Sequence, residues 1–272
     1  MGIFDGILIC TDLDGTLLKN DKSISTENIE AIEYFKEEGG IFTFVTGRMP
    51  FFVSDICEIV KPNGPFGCIN GGGLYDYNKN EYIWTAEMSD KVIELVRLID
   101  VKFPDVGFHV NTYNKTYFCK DNREMEHFRK VTNAPKLVCD YENVGEPIAK
   151  FVFGIESDDV IEAVNEALCE HPLADEFDFI RSEKTLFEIL PKGIDKGKSI
   201  EKLCEYLNID RARTIAVGDY NNDISMLKAA KIGIAVANAC DEAIAAADYV
   251  TVSNEEDAIA KIIYDLKDGK YL

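Results

Sequence analysis

Two aspartates, Asp12 and Asp14, stand one residue apart directly after the apolar run "ILICT". A short continuous apolar run predicts a strand that is buried on both faces. Carboxylates at the end of a buried strand repel one another unless a cation neutralises them. The pair therefore predicts a charged site at the carboxyl end of this strand.

Three other polar stretches follow an apolar run or open a helix: Thr46, Gly47 and Arg48 after "IFTFV", Asp219, Asn221, Asn222 and Asp223 after "TIAVG", and the lysines Lys192, Lys196 and Lys198. Taken singly, each stretch also fits a turn, a cap or a solvated helix face. Ligands of open α/β sheets bind at the carboxyl ends of the strands. Together the stretches predict one site that gathers carboxylates, amides and cations.

The residue types at this predicted site favour phosphoryl chemistry. Oxygen donors without His or Cys indicate a hard cation, most plausibly Mg²⁺. Mg²⁺ with Lys and Thr around it suits a phosphate group. One carboxylate could then attack phosphorus in line, and the second could protonate the departing alcohol.

Four motifs in this order, "DLDGTLL", "TGR", a lysine at a helix start and "GDYNNDISML", resemble the haloacid dehalogenase-like superfamily of phosphatases. The long insertion between the threonine and lysine stretches resembles the Cof-type hydrolases within it. The resemblance implies a Mg²⁺-dependent phosphatase that forms an aspartyl-phosphate. It also implies that the substrates are small phosphorylated metabolites, with sugar phosphates the expected class.

The resemblance also implies roles for single residues. It makes Asp12 the nucleophile and a metal ligand, Asp14 the general acid and base with its backbone carbonyl on the metal, Asp219 a further metal ligand, Thr46, Gly47, Lys196 and Asn222 the phosphate-binding residues, and Asp223 a support for the metal ligands. Lys196 is preferred to Lys192 and Lys198 because "GIDKG" matches the Lys-Gly of the family. Arg48 stays open between a substrate contact and a structural ion pair.

The elements that position these residues alternate between strand and helix in the first and last thirds of the chain. Helices are predicted at 26–38, 53–60 and 196–207, and "GCINGG" is predicted as a third strand. This alternation predicts an α/β fold with a doubly wound, parallel, Rossmann-like sheet. It forms a discontinuous catalytic core of residues 1–84 and 192–272.

The middle of the chain, residues 85–191, predicts an inserted α+β cap domain. Hairpins are expected to turn at 114–115 and 182–183, around a helix at 158–168. The phosphate-binding residues can recognise phosphate but little else, so the cap should contact the leaving group. Asn111, Tyr113 and Arg181 are the predicted contacts.

Composition excludes several classes of partner. The formal net charge is −20, from 29 basic and 49 acidic residues, which argues against nucleic acids and anionic membranes. The eight cysteines are scattered without a C-x-x-C pair, which indicates a reducing compartment. The chain start lacks a secretory signal, and no apolar run approaches the ~18 residues of a membrane span. We expect a soluble, cytoplasmic protein.

Three other functions fit part of the pattern. A phosphosugar mutase would use the same aspartyl-phosphate but return the phosphoryl group to a sugar. A phospho-acceptor signalling module also gathers acidic residues, Thr and Lys at strand ends, but Asp14 and the long insertion argue against it. A catalytically idle binding protein is disfavoured because every expected polar group is present.

Overall fold

The apolar runs form strands and the amphipathic stretches form helices in a computed structural model, which describes residues 2–271. In chain order the strands are β1 (Leu8–Thr11), β2 (Ile41–Phe44), β3 (Phe66–Cys68), β4 (Gly73–Asp76), β5 (Glu81–Thr85), β6 (Gly107–Thr112), β7 (Thr116–Lys120), β8 (Ile148–Gly154), β9 (Phe177–Glu183), β10 (Leu186–Pro191), β11 (Thr214–Gly218), β12 (Ile232–Ala235) and β13 (Tyr249–Val250). The α-helices are α1 (Thr26–Glu37), α2 (Ser54–Val60), α3 (Val92–Lys102), α4 (Arg123–Thr132), α5 (Asp158–Cys169), α6 (Lys196–Leu207), α7 (Ile224–Ala229), α8 (Asp241–Ala246) and α9 (Ala258–Lys267).

The chain divides into two compact units. The first contains the chain up to Thr85 and from Asp195 onward, and the second is Ala86–Ile194. The boundaries predicted from the sequence lay at 84/85 and 191/192.

A parallel sheet forms the centre of the first unit, with strand order β13-β12-β11-β1-β2. The predicted α/β class with a parallel Rossmann-like sheet is therefore confirmed. On one face, Leu8, Cys10 and Ala216 of the sheet pack against Ile200 and Leu203 of α6. β1 lies inside the sheet, between β11 and β2, and each of its residues is buried, as expected for a mostly apolar strand.

The strand predicted at "GCINGG" is confirmed over Gly67 and Cys68, within β3, but the residues after Cys68 do not belong to it. β3 ends at Cys68 and pairs antiparallel with β4, which pairs with β5 in a separate three-stranded sheet. The contact of β3 with the parallel sheet is a single bridge between Val45 and Gly67. The chain reverses after Cys68 because Asn70 and Gly71 take positive φ values of 51° and 98°.

The second unit contains an antiparallel sheet of order β7-β6-β8-β10-β9. Apolar residues on one face, among them Phe108, Val110 and Phe153, form a core with α3 and α5. The hairpin turn at 114–115 is confirmed. The second turn lies at 184–185 instead of 182–183, because Glu183 still pairs with Leu186 and extends the strand. None of the helices within residues 2–271 has both the length and the apolar composition needed to cross a bilayer.

Candidate active site

The site begins where β1 ends. The backbone N–H of Asp12 donates to the carbonyl of Val217 at 2.8 Å, which continues the pairing of β1 with β11. This bond fixes Asp12 at the carboxyl edge of the sheet, next to the segment that follows β11. The side chain of Asp12 is buried there, with 6% of the residue exposed.

Helix α6 delivers a lysine to this carboxylate. The Asp195 side chain caps α6 by accepting from the Lys198 N–H at 3.0 Å, and Lys196 is the first residue of the helix. Lys196 Nζ lies 2.5 Å from Asp12 Oδ1 and 2.5 Å from Asp223 Oδ1. Because Lys196 and Asp223 are both almost fully buried, the lysine joins two carboxylates away from solvent.

Asp223 fixes the loop that carries the next carboxylate. Its Oδ2 accepts from the backbone N–H groups of Asp219 and Tyr220, each at 3.0 Å. Asp219 Oδ1 in turn accepts from the Thr16 hydroxyl at 2.6 Å. Both oxygens of Asp223 are thus occupied by Lys196 and this loop, so its carboxylate positions Asp219.

The acidic side chains outnumber the lysine. Asp12, Asp219 and Asp223 each offer one oxygen within 4.8 Å of the others. Burial and the charge of Asp223 raise the pKa of Asp12 well above its ordinary value, although Lys196 opposes the shift. Burial and Asp223 also raise the pKa of Asp219, to about 6. Burial alone would lower the pKa of Lys196, but Asp12 and Asp223 outweigh it and raise it.

This charge excess is an observation that fits a divalent cation. Burial and mutual repulsion raise the pKa values of these carboxylates because their negative charge is not fully compensated. A hard cation with oxygen ligands would supply the missing positive charge. Among the His, Cys, Asp and Glu side chains of residues 2–271, the group close enough together to hold a metal ion consists of these three aspartates.

The Asp14 carboxylate turns toward cations instead of toward Asp12. Arg48 binds it through two hydrogen bonds, Nε to Oδ2 at 2.7 Å and Nη2 to Oδ1 at 2.6 Å, and Lys22 Nζ donates to Oδ1 at 2.7 Å. Burial would raise the pKa of Asp14, but Arg48 and Lys22 outweigh it and lower it. Of the two interpretations left open for Arg48, the structure therefore contains the ion pair.

Thr46, Gly47 and Asn222 lie around a second asparagine. Asn222 Nδ2 donates to Asn70 Oδ1 at 3.0 Å. A Cβ at Gly47 would lie 2.9 Å from the same oxygen, so glycine is needed for this close approach. The Thr46 hydroxyl accepts from the Arg48 N–H at 3.1 Å, and the Thr46 carbonyl accepts from the Asn70 N–H at 3.1 Å.

Gly15 is required by the approach of Asp219. Its φ is 83°, and a Cβ would lie 2.5 Å from Asp219 Oδ2. A side chain at Gly15 would therefore strain the backbone and displace the carboxylate.

The other two lysines pair with other carboxylates. Lys192 belongs to the second unit and pairs with Asp178 at 2.9 Å, and Lys198 pairs with Glu201 at 2.8 Å. Lys196 is the lysine that contacts Asp12.

The predicted leaving-group contacts do not share one surface. Asn111 accepts from the Thr116 hydroxyl at 2.9 Å, and Tyr113 donates to the Ala86 carbonyl. Arg181 pairs with Asp158 of α5 at 2.5 Å, on the helix-covered face of the sheet. The hydroxyl of its neighbour Ser182 donates to Glu188, which also binds Lys150, the strand partner of Asn111, so Ser182 and Asn111 share the opposite face. The grouping of Arg181 with Asn111 is therefore wrong, because adjacent strand residues face opposite ways.

Three residues of the site have no role in the sequence-based prediction: Thr16, Lys22 and Asn70. The signal for Asn70 was present, since an asparagine before glycines, here Gly71 to Gly73, predicts a turn with positive φ. The contact of Lys22 with Asp14 had no sequence signal, because it depends on the path of the loop after β1.

Known proteins resemble the chain over nearly its whole length. A model of haloacid dehalogenase-like hydrolases matches residues 9–263. The 5-amino-6-(5-phospho-D-ribitylamino)uracil phosphatase YcsE of Bacillus subtilis is 31% identical over 256 residues, 94% of each chain. A haloacid dehalogenase-like hydrolase of Bacteroides thetaiotaomicron superimposes with a TM-score of 0.83 at 26% identity, covering 96% of this chain and 99% of that one.

The fold is shared with more distant proteins as well. A subclass IIB sugar phosphatase superimposes with a TM-score of 0.85 at 22% identity, covering 96% of this chain and 99% of that one. The motifs "DLDGTLL", "TGR" and "GDYNND" fall at the carboxyl ends of β1, β2 and β11, with Lys196 opening α6. With this arrangement and a family model that matches nearly its full length, the chain belongs to the haloacid dehalogenase-like hydrolases, of the Cof type.

Proposed function

We propose that the protein is a Mg²⁺-dependent phosphatase that hydrolyses small phosphomonoesters through an aspartyl-phosphate on Asp12. The observation that carries the proposal is the buried cluster at the end of β1, in which Lys196 joins Asp12 to Asp223 beside Asp219. Burying a cluster whose negative charges exceed its positive charge costs stability, and groups held in this way are concentrated at functional sites.

The donor set suits Mg²⁺. Asp12 and Asp219 would hold the ion through side-chain oxygens and Asp14 through its backbone carbonyl, with Asp223 orienting Asp219. Bound Mg²⁺ would neutralise charge on the phosphoryl oxygens and keep the transferring group in line.

Phosphate oxygens would be bound by groups that are already oriented. The Lys196 ammonium has three hydrogens, of which two point to Asp12 and Asp223. The third would donate to a phosphoryl oxygen. The Thr46 hydroxyl accepts from the Arg48 N–H, so its own hydrogen would also be donated to phosphate. Gly47 and the Asn222 amide complete this set in the proposal.

Two aspartates would divide the chemistry. An Asp12 oxygen attacks phosphorus, the bond from phosphorus to the ester oxygen breaks, and Asp14 delivers a proton to the departing alcohol. Asp14 then removes a proton from the water that hydrolyses the aspartyl-phosphate, which releases inorganic phosphate and regenerates Asp12. To transfer protons, Asp14 must first leave its ion pairs with Arg48 and Lys22. Arg48 and Lys22 thus control when this carboxyl reaches the substrate.

The proposed substrates are phosphate esters of small sugar- or polyol-containing metabolites. YcsE, which this chain resembles along nearly its full length, is named for hydrolysis of a phosphorylated ribityl compound. The residues proposed to bind phosphate belong to the first unit, so we propose that the inserted unit selects the leaving group.

The test is phosphate release from a panel of phosphomonoesters in Mg²⁺, including 5-amino-6-(5-phospho-D-ribitylamino)uracil. Asp12→Asn keeps the side-chain shape but removes the attacking charge, so turnover should fall at least ~10³-fold. Asp268→Asn, at an exposed position after α9, is the matched control and should be unchanged. Retained turnover in Asp12→Asn, or isomerisation of phosphosugars without phosphate release, would overturn the proposal.

A further inference from the structure

Two of the eight cysteines form a close pair in the second unit. Cys119, in β7, and Cys139, in the segment between α4 and β8, have their Sγ atoms 3.8 Å apart. Both side chains are partly exposed, and both are free thiols. The residues lie far from the carboxylate cluster in sequence, and the reaction proposed above does not use them.

The backbone sets this pair face to face. Tyr117 and Leu137 form a parallel bridge, and the Phe118 N–H donates to the Leu137 carbonyl at 2.8 Å. Cys119 and Cys139 each lie two residues beyond a bridge partner, so they occupy opposed positions on the same side of the two segments. Neighbouring strands run about 4.8 Å apart, which falls within the Cα separation of disulfides. A modest side-chain rotation could therefore bring the sulfurs into bonding distance.

We propose that Cys119 and Cys139 are a dithiol modification site, which two-electron oxidants such as hydrogen peroxide convert to a disulfide. A shared soft metal is the other chemistry open to two adjacent sulfurs. Within residues 2–271, however, no third His, Cys, Asp or Glu donor completes a metal-binding group around this pair. The pair is thus built for a bond between two sulfurs.

The oxidation balances with peroxide as the oxidant. One thiol loses its proton, and the thiolate attacks a peroxide oxygen. The O–O bond breaks, a sulfenic acid and hydroxide form, and the hydroxide takes up the lost proton to give water. The second thiol then attacks the sulfenic sulfur, the S–O bond breaks, and a second water leaves as the disulfide forms. Burial raises the pKa of both thiols, so the reaction should be slow at neutral pH and faster in mild base.

The bond would fix the segment that contains α4. The ring from Cys119 to Cys139 includes this helix, and Phe128 of α4 packs on the His109 ring at 4.7 Å. His109 is fully buried, and neither ring nitrogen has a hydrogen-bond partner. Opening of α4 would expose His109 to water, and the disulfide would oppose that opening by shortening the free chain. For a closed segment of this length we expect an increase of roughly 10–15 °C in the melting temperature of the unit.

The experiment treats the full chain with hydrogen peroxide at pH 8.5, alkylates the remaining thiols and digests with trypsin. Cleavage after Lys115, Lys120, Lys136 and Lys150 places the two cysteines on separate peptides, 116–120 and 137–150. We expect mass spectrometry to find these peptides linked, with dithiothreitol releasing them. The same oxidation of protein unfolded in urea gives the yield of linked peptides that arises from chance encounters of the two cysteines.

Two single substitutions distinguish the disulfide between Cys119 and Cys139 from oxidation elsewhere in the protein. Cys119→Ser and Cys139→Ser should each abolish the linked peptide and the increase in melting temperature, while Cys169→Ser, at the exposed thiol of α5, should keep both. A linked yield no greater in the folded protein than in urea would overturn the proposal. So would an increase in melting temperature that persists in either single variant.

Discussion

Replacing Lys196 by methionine removes the cation that joins Asp12 to Asp223. Methionine has similar length and fills similar volume, so the change tests charge and not packing. Lys196 Nζ makes contacts of 2.5 Å to each carboxylate, and only 1% of its side chain is exposed. The variant would leave buried carboxylates without their positive partner.

The expected cost follows from that burial. Breaking a buried ion pair by removing one partner costs about 3–5 kcal/mol, because the remaining charge is uncompensated. Protonation of a carboxyl group would recover part of this loss, so the destabilisation should be smaller at pH 5 than at pH 8. Mg²⁺ should stabilise Lys196→Met more than the parent protein, since the ion meets a greater excess of negative charge.

The assay is urea unfolding followed by tryptophan fluorescence. Trp84 is the single tryptophan, and it packs against the core of the unit that contains the site. The fluorescence change therefore reports the unfolding of this unit. Turnover should fall on the order of 10²-fold or more in the same variant, because a preorganised stabiliser of phosphoryl charge is lost.

Lys198→Met is the matched control, two residues further along α6. Its ammonium pairs with Glu201 on the surface, with 33% of the lysine side chain exposed. Such pairs contribute about 0–1 kcal/mol, so stability and turnover should be nearly unchanged. If Lys196→Met and Lys198→Met unfold at the same urea concentration as the parent, the buried lysine does not compensate the carboxylates and the reasoning fails.

Three further predictions concern the metal and the second aspartate. Folding raises the pKa of Asp219 from 3.8 to about 6, so metal-free protein should lose up to about 3 kcal/mol of stability as the pH rises through this range. Asp219→Asn should flatten that dependence in EDTA, and an unchanged slope in urea titrations would contradict the assignment. EDTA should abolish phosphate release and Mg²⁺ restore it, whereas Ca²⁺ should substitute poorly because its larger, more flexible coordination disturbs the attack geometry; full turnover in Ca²⁺ alone would refute this. Arg48→Ala should lower turnover of alkyl phosphates and of p-nitrophenyl phosphate to different degrees. The fold-loss should be ~10- to 10²-fold greater for alkyl phosphates, because nitrophenolate departs without a proton from Asp14. An equal fall for both substrates would show that Arg48 does not act through this aspartate.

Local sequence patterns are enough to predict the main sheet and the ends of its strands. The short apolar runs before Asp12 and Asp219 predict strands buried on both faces, and their alternation with helices predicts a parallel sheet whose ligands bind at its carboxyl edge. The start of α6 can also be predicted from the sequence, because Asp195 is a strong capping residue before an amphipathic stretch.

The tertiary structure decided which of these polar groups meet. Lys196 and Lys198 are chemically alike, but two residues along a helix turn a side chain by about 200°, so one enters the cluster and the other faces solvent. Asp14 pairs with Arg48 and Lys22 because the loops after β1 and β2 approach one another. Contacts of this kind join residues far apart in the chain, whereas periodicity and capping report only on near neighbours.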